Sequence, residues 1–234
     1  MTEQKAKSGR EVFRPLLLTV FVLLQVFLIA FPRHDTLDLE AWPNTSLSPR
    51  LSGDHTVGQS FVPGLNGLSR IDVFLATYTI KPRGDVIFRL YEGDPAGRPV
   101  AEVRAAGSKL MDNLFNPFEF RRLSRSGGKR FSFTLSMPGA AETEGPSVWM
   151  NPADLQPRGT LIIDGRQAEG DAVFRTYSRR TILAEWGRIA RGMPGPLGNP
   201  IVLALAAIFF EIAAAAAFWR ILGLFFGNGE AARA

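Results

Sequence analysis

Ser52, Asp54 and His55, in the run SGDH, are the side chains whose types suit nucleophilic chemistry. Acyl transfer needs a nucleophile, a base and a group that orients the base. Adjacency in sequence does not supply that geometry, and serine and aspartate at a strand entrance also serve turns. Paired carboxylates could cleave glycosides. Asp72, Asp85, Glu92, Glu102 and Glu119 lie in or beside extended runs, alternate with apolar residues, and offer no pair that stands out. Asp112 and Asn113, in MDNLFN, are the best calcium candidate, because carboxylate and carbonyl oxygens suit that ion. The same two residues also build Asx turns. Tyr78, Tyr91 and Trp149 are rings that could stack on a ligand or partner, Tyr91 sharing a strand face with Arg89. Phosphate-cradling loops, dinucleotide fingerprints and paired-histidine zinc motifs are absent. The expectation is a chain that is not an enzyme and takes no cofactor.

Composition narrows the classes further. The chain has 234 residues and no cysteine, which removes thiolate catalysis, disulfides and cysteine metal sites. With only His34 and His55, one chain cannot build a three-histidine metal site. The formal net charge of +5 is scattered, with no basic stripe interleaved with aromatics, so nucleic acid is not expected as a partner.

One further charge-capable residue, Glu211, sits in IFFEIAAAAAFW, inside the apolar block Pro200 to Trp219. A first block runs from Pro15 to Phe31, and extending it to Val12 gives about 20 residues, enough to cross roughly 30 Å of hydrocarbon. Both blocks are expected to be transmembrane helices, at 15–31 and 200–226. Glu211 would then lie roughly 16 Å deep, where an ionised carboxylate costs at least about 2.5 kcal/mol. Protonation, an intrachain bond to Thr19 or Gln25, or a donor on another membrane protein removes that cost. Ala213, Ala214 and Ala217 present a small-residue face on which a second helix can pack. Trp219 and Arg220 suit the membrane interface. Just upstream, RRTILAEWGRIARGM places Ile182, Leu183, Trp186, Ile189 and Ala190 on one helical face, predicting an amphipathic helix over 179–193. Trp186, Arg188 and Arg191 would contact the membrane surface, although packing on the sheet domain fits the same pattern.

Between the blocks the hydrophobic period changes to two. RIDVFLATY aligns Ile71, Val73 and Leu75; DVIFRLYEG aligns Val86, Phe88 and Leu90; FEF pairs Phe118 with Phe120; KRFSFTLSM aligns Phe131, Phe133 and Leu135. Turn signals such as KPRG, SRSGG and DGRQAEGD separate these runs. Eight or nine short strands with no long helix among them predict an antiparallel sandwich over 52–178 and argue against a parallel α/β sheet. VGQSFVP, LSRIDVFLATY, VIFRLYEG, SGGKRFSFTLS and GDAVFRTY together resemble a jelly-roll domain of bacterial membrane-anchored envelope proteins, similar in architecture to carbohydrate-binding modules. That resemblance implies a non-catalytic module, with polysaccharide as one ligand class.

The expected organisation is a cytoplasmic tail (1–14), a first span, a linker (32–51), a periplasmic jelly-roll sandwich, an interfacial helix, a second span and a short cytoplasmic tail (227–234). Basic residues in the N-terminal tail place both termini in the cytoplasm of a bacterial inner membrane. The expected partners are the lipid bilayer and other integral membrane proteins, with the chain acting as an accessory subunit of a larger complex. The alternative is a membrane-tethered module that binds envelope polysaccharide.

Overall fold

The computed structural model describes residues 15–28 and 31–227. The cytoplasmic tail expected at 1–14, and that expected at 227–234 apart from Gly227, lie outside the described residues. The chain divides into two compact units, residues 1–34 with 180–234, and Asp35–Arg179.

The larger unit is mainly β. Its strands are β1 (Arg33–Glu40), β2 (Ser46–Arg50), β3 (Thr56–Phe61), β4 (Leu68–Ala76), β5 (Asp85–Glu92), β6 (Ala101–Ala106), β7 (Leu114–Leu123), β8 (Phe131–Ser136), β9 (Ser147–Asn151), β10 (Thr160–Ile163), β11 (Arg166–Ala168), β12 (Asp171–Ala172) and β13 (Phe174–Thr181). One sheet runs β1-β13-β4-β9-β12, with β2 on β9 and β7 on β4; the other runs β11-β10-β3-β8-β5-β6. All registered pairs are antiparallel.

Period two decides which side chains enter the space between the sheets. Ile71, Val73 and Leu75 from one sheet, and Val86, Phe88 and Leu90 from the other, are fully buried in a single cluster. Phe88 stacks on Phe118 at 4.8 Å and Phe133 meets Phe174 at 5.4 Å, so phenylalanines bridge the sheets. Each fully buried ring contributes about 1.5–3 kcal/mol. A second bridge is polar. Buried Gln59 donates to Asp171 Oδ1 at 2.6 Å and accepts from the Ala172 N–H at 2.9 Å, tying β3 to β12. Asp171 Oδ2 takes the N–H groups of Leu155 and Gln156.

The segment 32–51, expected to be a linker, instead forms β1 and β2. Its charged run RHDTLDLE hides the strand signal, because β1 is an outer strand of its sheet and shows the core only part of one side. Ala41 and Leu51, which flank the two strands, are fully buried. Ion pairs that only the fold assembles, Asp35 with Arg179 and Glu40 with Arg175, fasten β1 to β13.

The helical unit contains α1 (Pro15–Leu28), α2 (Ile182–Gly192) and α3 (Pro200–Gly227). The amphipathic helix starts at Ile182 and not at Arg179, because residues 174–181 continue β13. Among the described residues, one helix is long and apolar enough to cross a membrane, the Ala204–Leu224 stretch of α3, and the described part of α1, Pro15–Leu28, is a shorter apolar helix.

Candidate functional site

Three places gather the polar and aromatic residues that could act. The first is the outer face of the larger sheet. Register pairs Phe74 of β4 with Phe115 of β7, and their rings meet at 4.8 Å. Trp149 of β9 lies 6.3 Å from Phe74, and Trp42, just after β1, packs edge-on against Phe74 at 5.4 Å. Trp42 is 46% exposed. The Arg175 guanidinium lies 3.9 Å above Phe115, held there by Glu40.

The loops beside this face hold its rings in place. Tyr78 and Thr79 both adopt left-handed backbone conformations, with φ of 57° and 60°, and so does Asn113 at 50°. Such residues cost on the order of 1–3 kcal/mol each. The Asp112 carboxylate offsets that strain by accepting three consecutive N–H groups, from Thr77 at 2.6 Å, Tyr78 at 3.0 Å and Thr79 at 3.2 Å. Desolvation opposes ionisation of Asp112, but these N–H donors outweigh it and hold the carboxyl below its usual range. Asn113 Oδ1 accepts the Trp149 indole N–H at 2.8 Å. The Tyr78 hydroxyl donates to Ser147 Oγ at 2.8 Å, and Arg50 stacks 3.8 Å over the Tyr78 ring. Asp112 and Asn113 therefore work as loop clasps; their oxygens are committed to protein donors, and no cluster fit to hold a metal exists among the described residues.

Of the four residues expected to form a ligand or partner surface, the fold brings Tyr78 and Trp149 together. Arg89 and Tyr91 stand on β5 of the other sheet, with Arg89 paired to Glu102 at 2.9 Å. Sequence reasoning did not single out Trp42, Phe74 or Phe115. A tryptophan in an apparent linker and two phenylalanines at strand period carry no signal that distinguishes an outer from an inner face until the strands are paired.

The second place is the turn around SGDH. His55 Nδ1 lies 2.9 Å from Asp164 Oδ2, so the aspartate that orients the ring is Asp164, from the β10–β11 hairpin, and not the adjacent Asp54. Asp164 and Gly165 are both left-handed, as a two-residue Asp-Gly hairpin turn requires. Ser52 Oγ makes no hydrogen bond to His55, so no nucleophilic triad is assembled among the described residues.

The third place is in the helical unit. The Gln25 carboxamide faces Glu211, and with its nitrogen turned toward the carboxylate it donates to Oε1 at 2.9 Å and also contacts Oε2. Phe21 stacks on Phe218 at 4.2 Å, and this contact together with Gln25 facing Glu211 runs α1 and α3 antiparallel. Thr19, by contrast, donates to Pro15 O within its own helix at 2.9 Å. Glu211, Ala214, Phe218 and Leu222 form the covered stripe of α3, while Ala213 and Ala217 are exposed, as are Trp219 and Arg220. On α2, Trp186 is 46% exposed and Arg188 is paired with Glu185. The Arg188 hydrogen bond, aided by Arg180 and His34 against desolvation, holds Glu185 below its usual range. The Arg191 side chain lies outside the described residues.

No protein-family model matches the chain, and no curated protein matches it in sequence.

Proposed function

We propose that the protein is a non-catalytic, membrane-anchored accessory subunit of a larger membrane complex, with its jelly-roll-like sandwich on the periplasmic side of a bacterial inner membrane and both termini in the cytoplasm. The observation that carries this reading is the surface of α3. Phe209, Phe210, Ile201 and Leu224 are 67–75% exposed, and only 6% of the apolar stretch is buried within the chain. Such a surface needs lipid or other helices around it. In this reading α1 joins α3 as a second span, Gln25 masks the Glu211 carboxylate at membrane depth, and α2 lies at the interface through Trp186. The uncovered faces of α3 are left for partner helices.

Gentle extraction in a mild detergent followed by native mass measurement tests the proposal. The chain is expected to run in a stable assembly with other integral membrane proteins. Recovery from the aqueous phase without detergent, or a bare monomer under mild extraction, overturns it.

The aromatic face supports a second reading, a tethered carbohydrate-binding module. Trp42, Phe115 and Trp149 offer ring surface beside the half-exposed Glu40–Arg175 pair, a combination of apolar floor and polar edge suited to a sugar ring. Glycan-array binding by the detergent-solubilised chain, abolished by Trp42→Ala, supports this reading. An array with no signal removes it.

A further inference from the structure

A sheet ends in strands whose outer N–H and C=O groups have no neighbour, and folded proteins blunt such edges with short strands, proline or like charge. Most edge strands among the described residues follow that rule. β11 and β12 have three and two residues. β2 and β7 carry Pro49 and Pro117. β1 carries Asp35, Asp38 and Glu40. β6 is different. Its six residues, AEVRAA, end their sheet in unbroken register with β5, and they contain neither proline nor a surplus of charge.

Register shows which of its groups point outward. The Gly107 N–H donates to Gly84 O at 2.8 Å, so these two form a hydrogen-bonded pair. Steps of two along the ladder make Val86–Ala105 and Phe88–Val103 bonded pairs as well. On the other side of β5, the Gly93 N–H donates to Arg130 O at 2.8 Å, which commits Arg89 and Ile87 to β8 and agrees with that alternation. The N–H and C=O groups of Glu102 and Arg104 therefore point away from β5, where the sheet has no further strand among the described residues. Side chains alternate too. Ala101, Val103 and Ala105 pack on the core, while Glu102 and Arg104 are exposed. Arg89 at 2.9 Å and Arg104 at 3.2 Å hold the Glu102 carboxylate at this edge.

That arrangement selects an occupant. An antiparallel strand bonds here only where its own outward groups meet those of Glu102 and Arg104. For a second β6, a two-fold axis at Glu102 sets carboxylate against carboxylate, and one at Arg104 sets guanidinium against guanidinium. An axis at Val103 sets Glu102 against Arg104 of the second copy, and the reverse, with both pairs in bonding register. Opposite charges facing across strands stabilise the pairing, and like charges oppose it. We infer that β6 is the edge through which two copies of this chain associate, their six-stranded sheets joined antiparallel about a two-fold axis at Val103. Each Glu102 then lies between Arg89 of its own β5 and Arg104 of the second copy.

The chain has no cysteine, so an introduced one reports alone. At the axis Val103 faces its own counterpart in a non-hydrogen-bonded pair, with Cα atoms about 4.5 Å apart and within disulfide range. Val103→Cys, in the full chain in detergent micelles, is expected to give a disulfide-linked dimer under mild oxidation. Gln167→Cys, exposed on the opposite edge strand β11, is not. Sedimentation equilibrium of the cysteine-free chain measures the association itself. Glu102→Arg, at an exposed position, is expected to weaken it at least about tenfold at an unchanged melting temperature. Combining Glu102→Arg with Arg104→Glu is expected to recover it. The inference is overturned if the native chain sediments only as a monomer, or if Val103→Cys cross-links no better than Gln167→Cys. A dimer that persists unchanged in Glu102→Arg places the contact elsewhere and overturns it as well. A Val103→Cys adduct to a different polypeptide, with no homodimer, assigns the edge to another chain and excludes the second copy.

Discussion

Asp112 shows how one side chain can set a surface it does not itself form. Three N–H groups in a row point to its carboxylate, and two of them belong to residues in left-handed conformations. Asp112→Ala removes the acceptor and leaves those donors and the strain uncompensated. A loss of about 2 kcal/mol is expected, with a fall in melting temperature and a change in the environment of Trp149 by fluorescence. Asp112→Asn keeps one acceptor oxygen and is expected to lose less. Asp171 poses the opposite electrostatic case. Burial raises its pKa, with Asp154 adding to the effect, against the donors Gln156, Leu155 and Gln59. A folded-state pKa above the unfolded value means that the group's contribution is fully present below the unfolded pKa of about 3.9 and is lost as pH rises through the raised value. Melting temperatures between pH 4 and 7 are expected to show this decline, and Asp171→Asn is expected to flatten it.

At the scale of elements, the paired helices rest on one polar contact and one aromatic stack. Gln25→Leu leaves the Glu211 carboxylate without its donor, and Glu211→Leu leaves the carboxamide without its acceptor. Each single change is expected to destabilise the pair by about 1 kcal/mol, and the double change by less than the sum. A denaturant titration in micelles, read through helix signal, measures the cycle; strictly additive losses would show that the two groups do not interact. These elements also differ in how far they could be read from sequence. Strands β4, β5, β7 and β8 announce themselves because each places buried phenylalanine, isoleucine, valine or leucine at every second position, even where Phe74, Ile87 and Phe115 fill the positions between. β1 and β2 do not, since outer strands bury little and are held by ion pairs whose partners lie some 135 residues away, as with Glu40 and Arg175. For the same reason the run SGDH does not reveal that the partner of His55 is Asp164, 109 residues on. The aromatic face was illegible as a unit, because Trp42, Phe74, Phe115 and Trp149 come from four separate segments and only strand register brings them to one side.

At the scale of the whole molecule, the division into two units makes a prediction about where the sheet domain begins. Hydrophobic period alone sets its start near residue 52, but the compact unit starts at Asp35 and ends at Arg179. The difference is β1 and β2. They carry Ala41 and Leu51 on their flanks, both fully buried, and Ser48, whose hydroxyl accepts the Val148 N–H at 2.9 Å in the middle of the fold. They also supply the cover for one side of β13 and for β9. Removing them opens apolar core and leaves two strands with unpaired edges, a combination that promotes aggregation. A fragment of residues 35–179 is therefore expected to be soluble, to give dispersed amide resonances and to melt in one cooperative step. A fragment of residues 52–178 is expected to aggregate or to melt without cooperativity. If the shorter fragment folds as well as the longer one, β1 and β2 are attachments to the sandwich and not part of its core. The aromatic face would then lose Trp42 without cost to the fold, and its other rings could be tested for binding in that shorter fragment.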